Sequence, residues 1–191
     1  MSWKNLCLFS LLCIVILFLG PSHVYSKEVF VNQSFDFGTI KKVIVLPFVN
    51  LTEDRSAGDV IRYLVVSELQ ELVETVFVGD VDRVLKRMNV SDVRELAAEQ
   101  IKEICKELKA DAVITGVVYK YGEARSGNIS YPEVVITINM VEPEGGSIVW
   151  SVTERKSGGS FLAKHFGLGI RTLNELAIEA VRDAIKTLKN I

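Results

Sequence analysis

The run Val43-Ile44-Val45-Leu46-Pro47-Phe48-Val49 is apolar on both alternation phases, which is the pattern of a β-strand covered on both faces. It predicts the central strand of a layered α/β domain. Pro47 has no N–H to donate to a ladder, so it belongs near the strand's end or at a bulge. Beyond the polar stretch from Asn50 to Arg55, Ser56 with Asp59 three residues later reads as a helix start, and Ile61, Leu64, Val65, Leu69 and Leu72 follow at helical spacing.

Further along, a short strand is expected at Val76-Phe77-Val78, then Gly79-Asp80 as punctuation and a helix from Val81 to Met88. Ser91 is the expected cap of a third helix whose Val93, Leu96, Ala97, Ile101, Ile104, Cys105 and Leu108 form one stripe. The period then changes to two. Ala112 to Tyr119 reads as a strand, and from Glu133 to Val141 the residues Val134, Ile136, Ile138 and Met140 face one way while Glu133, Thr137 and Asn139 face the other. Pro143-Glu144-Gly145-Gly146 is turn chemistry, with Ile148, Trp150 and Val152 alternating inward on the returning strand of a hairpin. A Gly-rich link from Ser157 to Gly169 leads to a last helix with an Ala-rich face, Leu173, Leu176, Ala177, Ala180, Val181, Ala184 and Leu188. The predicted order is β-α-β-α-α-β-β-β-α, a single mixed sheet of about five strands flanked by helices, occupying residues 43–191 behind a polar lead at 27–42.

Working back from that domain, the first 26 residues contain one charged side chain, Lys4, and the 14-residue apolar run Leu6 to Leu19 ended by Gly20-Pro21. A spanning helix needs about 20 apolar residues, so this run reads as the core of a signal peptide, with Val24-Tyr25-Ser26 placing cleavage between Ser26 and Lys27. The other reading is an uncleaved anchor. A lipobox is excluded, because Cys7 and Cys13 lie inside the apolar run behind Leu6 and Leu12, where Gly, Ala or Ser is required.

The 191 residues carry 24 acidic and 22 basic side chains, and loss of Lys4 with the leader takes the formal charge from −2 to −3. That near balance lacks the field a phosphate backbone demands, so nucleic acid is not an expected partner. With the leader gone, Cys105 and His165 stand as single representatives of their types, which leaves no intramolecular disulfide and no zinc-ligand spacing. Cys105 falls in an apolar stripe and reads as a core thiol. No Gly-x-Ser-x-Gly elbow accompanies His165. The pair Asp80 and Asp82 reads as helix-start acids, and Gly167-Leu168-Gly169 with Thr172 lacks the third glycine of a dinucleotide fingerprint. Lys156, Lys164, His165 and Arg171 could form an anion-binding rim or a solvated loop. Sequons at Asn32, Asn50, Asn89 and Asn128 matter only in a glycosylating host.

Two segments carry a family resemblance. Val43 to Thr52 followed by Ala57-Gly58, and Ala110-Asp111-Ala112-Val113-Ile114-Thr115-Gly116, resemble a superfamily of bacterial envelope proteins. That group includes the curli-secretion lipoprotein CsgG, the penicillin-binding-protein activator LpoB and the N-terminal domain of TolB. The hairpin ending Gly146-Ser147-Ile148-Val149-Trp150 is similar too. The resemblance implies a TolB N-terminal-like α/β module that binds other envelope proteins or self-assembles, with no catalysis and no cofactor. It departs from the pore-forming branch: Gly122 to Ser130 is too short and too polar to cross a membrane twice.

The resulting expectation is an exported, periplasmic or envelope-associated adaptor or assembly factor, with a periplasmic domain for a small, possibly anionic ligand as the alternative. The partner surface is expected at Phe161, Lys164, Phe166, Leu168 and Arg171, where aromatic and cationic side chains crowd a Gly-rich link. The bland alternative is a plug folded back over the last helix.

Overall fold

The computed structural model describes residues 27–127, 129–158 and 171–191. Its strands are β1 (Glu28–Val31), β2 (Lys42–Val45), β3 (Val49–Asn50), β4 (Glu74–Thr75), β5 (Ala112–Ser126), β6 (Ile129–Val141) and β7 (Ile148–Ser157). Its α-helices are α1 (Ala57–Leu69), α2 (Val78–Arg87), α3 (Ala98–Leu108) and α4 (Leu173–Lys189). The strands form one mixed seven-stranded sheet in the order β1-β7-β6-β5-β2-β4, with β3 beside β5. β2 is parallel to β4 and β5, whereas β5, β6, β7 and β1 run antiparallel in succession.

The fold class agrees with the sequence expectation, but the strand count and full order differ. β3 is the short continuation of the Val43 run past Pro47, and β1 comes from the lead segment at 27–42. Its side chains are mostly exposed, so no buried face printed a strand pattern on the sequence. The β2 run is also not central. Val43, Ile44, Val45 and Leu46 are at most 1% exposed, as covering on both faces requires, yet β2 lies next to the β4 edge.

Two cores explain the layering. On one face α1 and α4 cover the sheet, packing Ile61, Val65, Leu69, Leu176, Ala180 and Val181 against Val43, Val45, Ile114, Ile136, Ile138 and Trp150. The Ala-rich face of α4 lets its backbone approach the strands closely. Its first turn is a capping box: the Thr172 hydroxyl accepts from the Glu175 N–H, and the Thr172 N–H donates to the Glu175 carboxylate. On the opposite face α2 and α3 cover Ile44, Leu46, Val113 and Val141.

Several local boundaries move for identifiable reasons. The strand expected at Val76-Phe77-Val78 is Glu74–Thr75, and α2 begins at Val78, passing straight through Gly79. Ser91 caps nothing in α3. Asp92 caps a 3-10 turn at Val93–Glu95, and α3 starts at Ala98, where Gln100 accepts from the Ala97 N–H. Ser56 stands at the N-cap of α1 without a side-chain capping bond; its own N–H and hydroxyl donate to Asp54. Ile148 does not point inward and is 46% exposed, because the β6–β7 register shifts between Met140 and Val141. The stretch Gly122 to Ser130 is largely paired strand: β5 and β6 continue as a hairpin to Ser126 opposite Ile129, beyond the reach of β2 and β3. Gly127 at φ 61° takes the left-handed conformation at its turn.

Candidate partner-binding surface

Phe161, Lys164, Phe166 and Leu168 lie outside the described residues, as does Ser26. Arg171 is described, and it is occupied within the chain. Its guanidinium pairs with Glu179 and donates to the Ser157 carbonyl at 3.1 Å, stapling the end of β7 to the entry of α4. Lys156, the other described member of the possible anion rim, is 2.6 Å from Asp183 and 3.4 Å from Glu179. Burial opposes the charge on Lys156, but the carboxylates of Asp183, Glu179 and Glu154 together outweigh it and raise the ammonium pKa. Both described rim cations are thus neutralised by α4.

Three other features come from tertiary placement. The first is a bare half-sheet. α2 and α3 shield the second face only over β2 and the adjoining ends of β5 and β6, and among the described residues nothing lies over the rest. That surface presents Thr115, Val117 and Tyr119 of β5, Val135, Thr137 and Asn139 of β6, Ser151 and Thr153 of β7, and Phe30 of β1. Its polar groups bond laterally: the Thr137 and Thr153 hydroxyls are 2.8 Å apart, and the Ser151 hydroxyl donates to Asn139 Oδ1 at 2.7 Å. Phe30 and Tyr119 are 53% and 50% exposed at its margins. The polar phase of β6 was legible in the sequence, and the contrast with β2 was the available signal: apolar on both phases means two covers, alternation means one.

The second feature is an open groove of about 520 Å³ at the carboxyl end of β2, lined by Pro47, Phe48, Leu51, Asp82, Lys86 and Arg94 among others. The chain leaves β2 for α1 on one face and leaves β4 for α2 on the other, so this is the crevice where open α/β sheets take ligands. One lining residue, Asp82, is engaged within the chain. Arg62 of α1, 3% exposed, donates from Nε to the Val45 carbonyl at 3.0 Å and from Nη1 to Asp82 at 2.7 Å. Asp82, read as a helix-start acid, therefore neutralises a buried guanidinium.

The third feature concerns Asp111 of the Ala-Asp pair, whose Oδ2 accepts the N–H groups of Lys41 and Lys42, both at 2.8 Å. The carboxylate thereby ties the α3-to-β5 junction to the start of β2.

Reactive chemistry is sparse. Burial, with the charge of Asp111, pushes the Cys105 thiol up to about 12, far from a nucleophilic thiolate. Among the described residues no three His, Cys, Asp or Glu side chains are grouped to hold a metal, and no helix is long and apolar enough to cross a membrane.

No family model and no curated protein matches the sequence. Solved structures match the fold. The PelC dodecamer from Paraburkholderia phytofirmans is 16% identical, with 85% of this chain and 98% of that chain covered and a TM-score of 0.59. Lipoprotein GNA1162 from Neisseria meningitidis is 17% identical, with 79% of this chain and 99% of that chain covered and a TM-score of 0.59. The LpoB C-terminal domain from Salmonella enterica is a looser match, 13% identical over 61% of this chain and 82% of that one, with a TM-score of 0.46. At these identities the first two show a common fold, spanning nearly the whole of each protein.

Proposed function

We propose that this protein is an exported bacterial envelope protein that acts without catalysis, as an adaptor or assembly factor, through protein–protein contacts that include self-association. The observation that carries the reading is the bare half-sheet. A surface several strands wide, laterally hydrogen-bonded, edged by exposed Phe30 and Tyr119 and uncovered among the described residues suits an interface better than a substrate site, because it offers area and aromatic anchors. The fold likeness supports it: one protein of this fold is described as a dodecamer and another as a lipoprotein.

The test is co-purification of the tagged protein from envelope extracts, with light-scattering mass analysis of the chain from Lys27. Phe30→Arg combined with Tyr119→Arg should abolish the captured partner or the oligomer while leaving stability within about 0.5 kcal/mol, the range for exposed substitutions. A wild-type monomer that enriches nothing over a control, or a double variant that keeps every association, would refute the reading.

A further inference from the structure

The uncovered half-sheet places its two aromatic side chains at opposite corners. Along its strands the residues of this face, from Thr115 to Tyr119, Val135 to Asn139 and Ser151 to Arg155 in steps of two, are half-buried or exposed, while those between them are buried. Helices therefore close one side of the sheet, and the other is open among the described residues. Phe30, Ser151, Asn139 and Thr115 stand in one cross-strand row. Tyr119 lies on β5, three strand spacings from β1, and a bulge sets it between the rows of Ile136 and Val135. The two rings are thus offset by about 14 Å across the strands and about 12 Å along them. Midway between them is the Thr137 and Thr153 pair, whose hydroxyls are 2.8 Å apart.

A two-fold axis beside that pair, lying between two facing sheets, carries Phe30 of one copy onto Tyr119 of the other and Tyr119 onto Phe30. The diagonal joining the rings is inclined about 40° to the cross-strand direction, so the strands of the two copies cross at about 80°, within the orthogonal class of sheet packing. The same rotation brings Glu28 of the second copy over Val135, between Arg155 and Lys120, which stand opposite Val135 on either side. The charges at the margin then meet the opposite sign. The central hydroxyls are bonded within their own sheet, Thr137 to Thr153 and Ser151 to Asn139, so covering them leaves them paired. The face is about 19 Å across its strands and about 20 Å along them, a footprint of about 400 Å² on each copy. Side-chain relief brings the area lost by both copies to about 1,000 Å², the lower bound for a specific interface.

We propose that the occupant of the half-sheet is a second copy of this chain, packed face to face about this axis with Phe30 and Tyr119 as mutual anchors. Such an interface is isologous, each residue of one copy meeting in the other the residue that meets it in return. The inference names the partner for the self-association in the proposed function and rests on that reading.

The experiment gives the chain from Lys27 one cysteine at a time, Thr153→Cys, Phe30→Cys or Tyr119→Cys, and treats it with a bismaleimide about 10 Å long, the spacing of stacked sheets. Cys105, 2% exposed, stays out of its reach. Thr153→Cys should cross-link to itself, because the axis passes beside it. Phe30→Cys and Tyr119→Cys should each stay single when alone, since like residues stand about 20 Å apart, and should join when the two are mixed. Without the reagent, mass analysis of the wild-type chain should show a dimer at about 100 µM and monomer at about 1 µM, as suits so small an interface. A monomer at every concentration, an assembly in which folded Thr153→Cys stays single, or Phe30→Cys chains that cross-link to each other overturn the proposal. Should Thr153→Cys not fold, the mixed pair at the exposed Phe30 and Tyr119 positions decides alone. A monomeric chain that still captures an envelope protein overturns the second copy and leaves the adaptor reading standing, whereas a chain that neither pairs nor captures removes both.

Discussion

Gly116 of β5 lies under the ring of Phe48, and replacing it by Ala tests the packing of the larger core. A Cβ built on Gly116 would stand 2.6 Å from both Cδ1 and Cζ of Phe48, and closer still to Cε1, where carbon contacts ordinarily fall at about 3.5 to 4.0 Å. About 1 Å of overlap must be relieved. If the ring stays, β5 or its neighbours shift, at about 1 to 3 kcal/mol for overpacking. If the ring swings into the groove beside Leu51, Phe48 gives up its 94% burial, at about 1.5 to 3 kcal/mol. Either route gives about 2 kcal/mol, or a Tm lowered by about 4 to 8 °C for a domain of this size. Urea unfolding of the chain from Lys27 should show a lower midpoint at unchanged slope. With Phe48→Leu as background the cost of Gly116→Ala should fall by more than half, because the clashing ring is gone. A wild-type midpoint for Gly116→Ala, or an equal cost in both backgrounds, would refute the contact.

Leu176, at 0% exposed between α4 and the sheet, should lose about 2 to 5 kcal/mol as Leu176→Ala, while half-buried Ile101 of α3 should lose under about 2 kcal/mol as Ile101→Ala; the ranking is read from denaturant midpoints. The Cys105 thiol stays protonated in the folded chain to about 12 but ionises near 9.0 when unfolded. The unfolded state therefore holds fewer protons above pH 9, and stability falls as pH rises from about 9 toward 12. Tm measured at pH 8 and pH 10.5 should show that fall, and Cys105→Ala should shrink it. A thiol reagent at pH 8 should label Cys105 only after denaturant is added.

The sequence by itself determined the elements whose pattern reports burial locally: β2, apolar on both phases; β6, alternating; α4, striped with alanine; and Cys105 set into an apolar face. These readings hold because a side chain's burial follows the period of its own backbone, 2.0 in a strand and 3.6 in a helix. Only the tertiary structure decided which strand stands next to which. It drew exposed β1 out of the lead segment, left half of one sheet face without helices among the described residues, and moved β2 toward an edge. The charged contacts were equally out of reach: Lys27 meets Glu154 and Asp183, Arg62 meets Asp82, and Asp111 meets the backbone of Lys41 and Lys42. Such pairs carry no period. Any acid suits any base until the chain closes loops of tens to more than a hundred residues, and the sum of apolar burial over the whole domain, far larger than one ion pair, selects which of them come together.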